Sequence, residues 1–111
     1  HRDLHSFPTR RSSDLDGLHP AVLWLIAHTI EAAHKHGKRA DICGELGSDP
    51  AAVPILIGLG MDELSVSIPS VPTVKAQVRG LKFSELQPLA QQALACSTAQ
   101  EVRALVKKLF G

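Results

Sequence analysis

Lys38-Arg39-Ala40-Asp41-Ile42-Cys43-Gly44-Glu45-Leu46-Gly47-Ser48-Asp49-Pro50 is the stretch on which the fold turns. Its first half is short and grows apolar toward Ile42 and Cys43, which reads as a strand running into the loop Gly44-Glu45-Leu46-Gly47. Ser48-Asp49-Pro50 then supplies a helix start, with an acceptor side chain at the N-cap and a proline at the first position. A strand that gives way to a helix through a glycine-bearing loop is half of a βαβ unit.

Upstream, Val22, Leu25, Ile26, Ile30 and Ala33 recur at three- and four-residue spacing between His19 and Gly37, giving one apolar helical stripe. Pro20 suits its first turn and Gly37 its C′ position. His34, Lys35 and His36 fall in the last turn, where cationic side chains favour the negative helix end, and two histidines two positions apart do not face one another as metal ligands would.

Downstream, the helix opened by Pro50 runs through Val53, Ile55, Leu56 and Ile57 and closes at Gly58 and Gly60, with a local irregularity expected at Pro54. Glu63-Leu64-Ser65-Val66-Ser67 reads as a second strand. Ser70-Val71-Pro72 opens a helix carrying Val74 and Val78 as far as Gly80. A fourth helix covers about Ser84 to Cys96, with Leu86, Leu89, Ala90, Ala93 and Leu94 as its apolar face. Thr98-x-x-Glu101 is a capping box opening a fifth, which carries Val102, Leu105, Val106 and Leu109.

The expected order is therefore helix, strand, helix, strand and three helices, an α/β arrangement with a parallel sheet. Two strands do not complete such a sheet. A (β/α)8 TIM barrel takes eight strands and roughly 250 residues, so the reading is an incomplete barrel: its last two strands and their helices, followed by C-terminal helices.

Composition sets the outer limits. The chain has 111 residues, 44% of them apolar and 21% charged, which is ordinary for a globular protein. Its longest apolar run falls far short of the roughly 20 residues of a membrane span, and no secretory h-region follows its start, so a cytoplasmic location without membrane association is expected. A formal charge of +1 and 4% aromatic residues give no reason to expect nucleic acid.

Residues 1–15, HRDLHSFPTRRSSDL, lack helical or strand periodicity and read as a disordered tail. They can also be written, codon by codon, as a common short-read sequencing adapter translated in one frame, and are set aside as an expected artefact. Taking away their three basic and two acidic residues from totals of 12 and 11 leaves nine of each sign in residues 16–111, which are read as the C-terminal part of one domain.

Of the two cysteines, Cys96 lies in an apolar helical stretch and reads as a small buried or half-buried filler. Cys43 ends a strand, where barrels project their catalytic side chains. Gly44 and Gly47 allow a tight turn or close approach of a ligand, and the following helix start can lower a thiol pKa, so a proton donor to a carbanion or enol fits. A buried cysteine with glycines that merely serve the turn fits as well, and on spacing alone carries slightly more weight. Neither cysteine has the ligand spacing of a structural zinc site, and no metal site is read in the chain.

Leu18-His19-Pro20-Ala21-Val22-Leu23, Cys43-Gly44-Glu45-Leu46, Gly58-Leu59-Gly60-Met61-Asp62-Glu63-Leu64-Ser65-Val66-Ser67 and Val71-Pro72-Thr73-Val74-Lys75 together resemble the C-terminal end of enzyme I of the phosphoenolpyruvate (PEP) sugar phosphotransferase system. They resemble equally the matching part of the fused multiphosphoryl transfer proteins of the fructose branch. The resemblance covers residues 16 to 111 in order. It implies a PEP-binding TIM barrel that passes the PEP phosphoryl group to a histidine on another domain and on to the carrier HPr. It further implies Mg2+ as cofactor, a homodimer formed through the C-terminal domain, and Cys43 as the acid that protonates the enolpyruvate, with Gly44 and Glu45 beside it in the substrate loop.

The chain departs from the family's Cys-Gly-Glu-Leu-Ala-Gly-Asp at Gly47-Ser48, a small change. It has no counterpart of the Gly-Thr-Ser-His histidine, the Asn-Asp metal and substrate segment or the phosphate-binding arginines. Arg39 and Arg79 match none of these and read as surface charges. The isolated chain is therefore expected neither to bind PEP appreciably nor to transfer phosphate. Pyruvate phosphate dikinase and PEP synthase share the barrel and the cysteine acid, but Glu45-Leu46 and Asp62-Glu63-Leu64-Ser65 look closer to enzyme I. A stand-alone interaction or dimerisation module is the reading from outside the enzymes.

Overall fold

The structure, a computed structural model, describes residues 17–43 and 45–110. The tail at residues 1–15 and Gly44 lie outside the described residues, as do the side chains of Cys43 and Glu45. The elements are α1 (Pro20–Lys35), β1 (Asp41–Cys43), a 3-10 turn (Glu45–Ser48), α2 (Ala52–Gly58), β2 (Glu63–Ser65), a second 3-10 turn (Ile68–Ser70), α3 (Val71–Arg79), α4 (Phe83–Leu94) and α5 (Ala99–Phe110). Among the described residues no helix is long and apolar enough to cross a membrane.

β1 and β2 pair in parallel, Asp41 opposite Glu63, Ile42 opposite Leu64 and Cys43 opposite Ser65. Parallel strands need a crossover, which α2 provides. β2 stops at Ser65 rather than the expected Ser67, because β1 offers only three residues to pair with. The class is thus α/β, a small two-stranded parallel sheet among helices.

Both helix-to-strand joints are built alike. At the end of α1 the Lys38 amide donates to the Ala33 carbonyl and the Gly37 amide to that of His34. At the end of α2 Met61 and Gly60 donate to Leu56 and Ile57 in the same pattern. These are Schellman closures, and Gly37 (φ 71°) and Gly60 (φ 101°) take the left-handed conformation that the motif requires.

α2 is the centre of the core. Ala52, Val53, Pro54, Ile55 and Leu56 are all buried, and the helix packs most extensively on α4 through a cluster that also holds Leu23, Leu86, Leu89, Ala93 and Val102. The irregularity expected at Pro54 is avoided. The helix begins at Ala52, so Pro54 occupies the first turn, where an amide has no partner within the helix. Gly58 faces the α4 backbone so closely that a Cβ there would lie 2.2 Å from the Leu86 carbonyl oxygen.

Three expected core residues are exposed. Leu25 (60% exposed) lines a cavity of about 190 Å3 beside β1, with Ile26, Ala40 and Ile42. Val78 (38%) lines one of about 490 Å3 beside β2, with Ile57, Met61, Leu64 and Val74. Leu109 lies in the last turn of α5, beyond the buried Val102 and Val106. The capping box of α5 is present: Thr98 Oγ1 accepts the Glu101 amide at 3.1 Å, and Glu101 reaches back to the Ser97 amide at 2.7 Å. Cys96 is a half-buried free thiol, its pKa pushed up by burial and then by the Glu101 charge.

Asp62, just ahead of β2, ties three elements together. Its Oδ2 accepts the Ala40 amide at 2.7 Å and lies 2.7 Å from His34 Nε2, while its own amide donates to the Ala40 carbonyl. The Ala40 hydrogen bond, and after it His34, holds its carboxyl below the usual range. A depressed folded-state pKa contributes stability above the unfolded value, lost as pH falls through the folded one.

Two outcomes are expected. Gly58→Ala lowers folding stability by about 1–3 kcal/mol in urea denaturation. Gly80→Ala, whose Cβ would meet only the Gln77 carbonyl at an ordinary 3.6 Å, is close to neutral; equal effects would refute the close crossing. In thermal melts, wild type should exceed Asp62→Asn at neutral pH, and the gap should close only as pH falls below about 4. A gap independent of pH would show that the carboxylate charge is not involved.

Candidate functional site

Cys43 is the last residue of β1, at the carboxyl end of the strand, and the turn Glu45–Ser48 begins two positions later. Cys43 therefore ends the strand, and Glu45 opens the turn.

The turn is held against the sheet from below. Gly47 is buried, and a Cβ on it would come within 3.3 Å of the Ser65 carbonyl oxygen of β2, so the close approach assigned to this glycine is made to the neighbouring strand. Leu46 is half-buried against the core.

Asp49 joins the turn to α2. Its amide donates to the Leu46 carbonyl, closing the turn, and its own carbonyl accepts the Ala52 and Val53 amides that open the helix. Its Oδ1 accepts the Ala51 amide at 3.0 Å, but the helix expected to open at Pro50 begins at Ala52, and its N-cap residue is Ala51, with no side-chain cap. Its Oδ2 accepts from Arg103 Nη2 of α5 at 3.0 Å, and Gln77 of α3 donates to the Pro50 carbonyl at 2.8 Å. Two helices from the C-terminal half therefore brace the segment after Cys43. Neither brace was foreseen in the sequence, since a polar side chain on an amphipathic helix carries no mark of a partner 27 or 54 positions away.

The expected surface role of Arg39 holds: its side chain is 73% exposed and makes one long contact, 3.5 Å, to Glu63. His34 does more than favour a helix end, because it meets Asp62, 28 positions away. Among the described residues no three His, Cys, Asp or Glu side chains converge as metal ligands would.

A parallel βαβ unit with a cysteine and a braced turn at one strand's carboxyl end defines a protein of the α/β class. Residues 6–83 match the family described as PEP-utilising enzyme, PEP-binding domain, and the chain belongs to that family. It is 49% identical over 94 residues to a multiphosphoryl transfer protein of Xanthomonas campestris pv. campestris, covering 85% of this chain and 11% of that protein. It is 46% identical over 90 residues to a phosphoenolpyruvate-protein phosphotransferase of Staphylococcus epidermidis, covering 81% and 16%. A multiphosphoryl transfer protein of Rhodobacter capsulatus is 51% identical over 90 residues, covering 81% and 11%. The chain spans about a tenth to a sixth of the length of these relatives.

Asp49→Ala removes the acceptor of the Ala51 amide and the partner of Arg103, and is expected to cost about 1–2 kcal/mol in urea denaturation at constant slope. Asp49→Asn, which keeps an acceptor for Ala51, should cost clearly less. A wild-type midpoint for Asp49→Ala would remove the residue from its place at the junction.

Proposed function

We propose that residues 16–111 form the C-terminal part of a phosphoenolpyruvate-protein phosphotransferase and contribute its proton donor, Cys43. The observation that carries this reading is the position of Cys43 at the carboxyl end of a parallel strand, ahead of a segment braced by two later helices, in a chain of the PEP-binding family.

The chemistry is a phosphoryl transfer followed by a proton transfer. The phosphorus–oxygen bond of PEP breaks as a histidine nitrogen, supplied by a domain outside this chain, takes the phosphoryl group; HPr is its next acceptor. The departing enolate of pyruvate then takes a proton at its methylene carbon from the Cys43 thiol, which solvent reprotonates. Gly44 and Glu45 belong to the loop that shapes this end of the site. Mg2+ in such an enzyme neutralises charge on the phosphate. Its ligands are assigned to residues outside this chain, because among the described residues no three His, Cys, Asp or Glu side chains converge.

The surrounding architecture is a (β/α)8 barrel of which β1 and β2 are the last two strands. Support comes from Leu25 and Val78, exposed apolar residues that line cavities beside β1 and β2, which further elements of a barrel would cover. The whole enzyme is cytoplasmic and pairs with a second copy through this domain.

The test has two arms. The isolated chain, incubated with labelled PEP, should acquire no phosphate, since it lacks the acceptor histidine context. Replacing the matching segment of the Staphylococcus epidermidis phosphotransferase with residues 16–111 should preserve PEP-dependent phosphorylation of HPr, and Cys43→Ala in that chimera should lower the rate at least about 100-fold. Autophosphorylation of the isolated chain, or full activity of the Cys43→Ala chimera, would overturn the proposal.

A further inference from the structure

We propose that the groove between α1 and α4 is a binding site for a neutral pyranose sugar. On α1, Trp24, His28 and Glu31 follow one another at spacings of four and three, and on α4 Gln87 and Gln91 stand four apart, so each helix presents one polar stripe. The two stripes flank a cavity of about 420 Å3, a size within the range of about 300–1,000 Å3 that small-molecule sites occupy. Ala27 and Gly58, the smallest residues of its lining, keep the space between the helices open. Neither strand contributes a residue to it, so the proposal does not rest on the reading of Cys43.

Three features select the ligand. Trp24, the single tryptophan of the chain, is 53% exposed yet held in place, its ring centroid 3.8 Å from that of His28 at a tilt of 45°. A fixed, half-exposed indole offers an apolar surface to the C–H face of a sugar ring. The side chains of Glu31, Gln87 and Gln91 have no hydrogen-bond or ion-pair partner among the described residues. Amides donate and accept and a carboxylate accepts, which is the set that a ring of hydroxyls satisfies. The lining carries the Glu31 carboxylate and no Lys or Arg, and His34 is engaged by Asp62 at 2.7 Å. A phosphate would meet repulsion from Glu31 with no lysine or arginine to offset it, so neither PEP nor a sugar phosphate suits the groove. A simple cation would find Glu31 but leave the N–H groups of both glutamines unused.

The test titrates the 111-residue chain with D-glucose, D-mannose and D-galactose, following Trp24 emission and, independently of the indole, saturation-transfer NMR of the sugar. At least one sugar should bind saturably with Kd near about 1 mM. Glu31→Ala and Gln91→Ala, both at exposed positions, should each weaken that binding about 5-fold, whereas Lys75→Ala, in the cavity beside β2, should leave it unchanged. D-glucose 6-phosphate should bind more weakly than the free sugar, and Glu31→Gln should narrow the difference. Absence of saturable binding in both readouts, an equal loss in Lys75→Ala, a 6-phosphate that binds as tightly as the free sugar, or saturation by tetramethylammonium alone overturns the proposal.

Discussion

The burial of α2 is the constraint on which the rest depends. β1 and β2 run parallel, so the chain must leave one strand's carboxyl end and return to the other's beginning, and the seven residues Ala52–Gly58 are the covering helix of that return. Five of them are buried, and the last lies so close to the backbone of α4 that no side chain is accommodated without movement. Shift this helix, and the turn after Cys43, the start of β2 and the seat of α4 all shift with it.

The braces around α2 follow from its shortness. Seven residues form fewer than two turns and carry little stability of their own, so the helix is held at both ends by groups from elsewhere. Ahead of its start, Asp49 holds the Ala51 amide and is itself held by Arg103, while Gln77 holds Pro50; at its finish, Gly60 closes it and Asp62 fastens the next strand to Ala40 and His34. The Cys43 strand end adjoins this frame, which steadies a strand of only three residues.

Local signals were legible in the sequence. Gly37, Gly60 and the Thr98–Glu101 box each announce a helix end through backbone requirements that hold within a few residues, and each sits where expected, whereas the helix announced by Ser48-Asp49-Pro50 starts later, at Ala52. The α/β order was legible for the same reason, from periodicity and caps. What escaped was non-local: His34 with Asp62, Arg103 with Asp49, and the side of α1 that faces inward. The spacing puts Val22 and Leu25 on the buried stripe, yet Leu23 is the fully buried residue there, because α1 packs on α4. At the site itself, Cys43 was singled out by its place after a strand, whereas its role came from family resemblance, since spacing alone does not separate an acid thiol from a packing one.

The two matched helix closures carry a geometric consequence. Gly37 and Gly60 end their helices with the same pair of hydrogen bonds and the same left-handed residue, and each hands the chain to a strand within four residues. Identical joints impose the same turn twice, so the segment is one stride of a periodic path, advancing sideways by a strand with each helix. Such a path has no intrinsic last step. What ends it here is the change of stride after β2, where three helices follow one another and α5 folds back to clasp the junction that the first stride left behind.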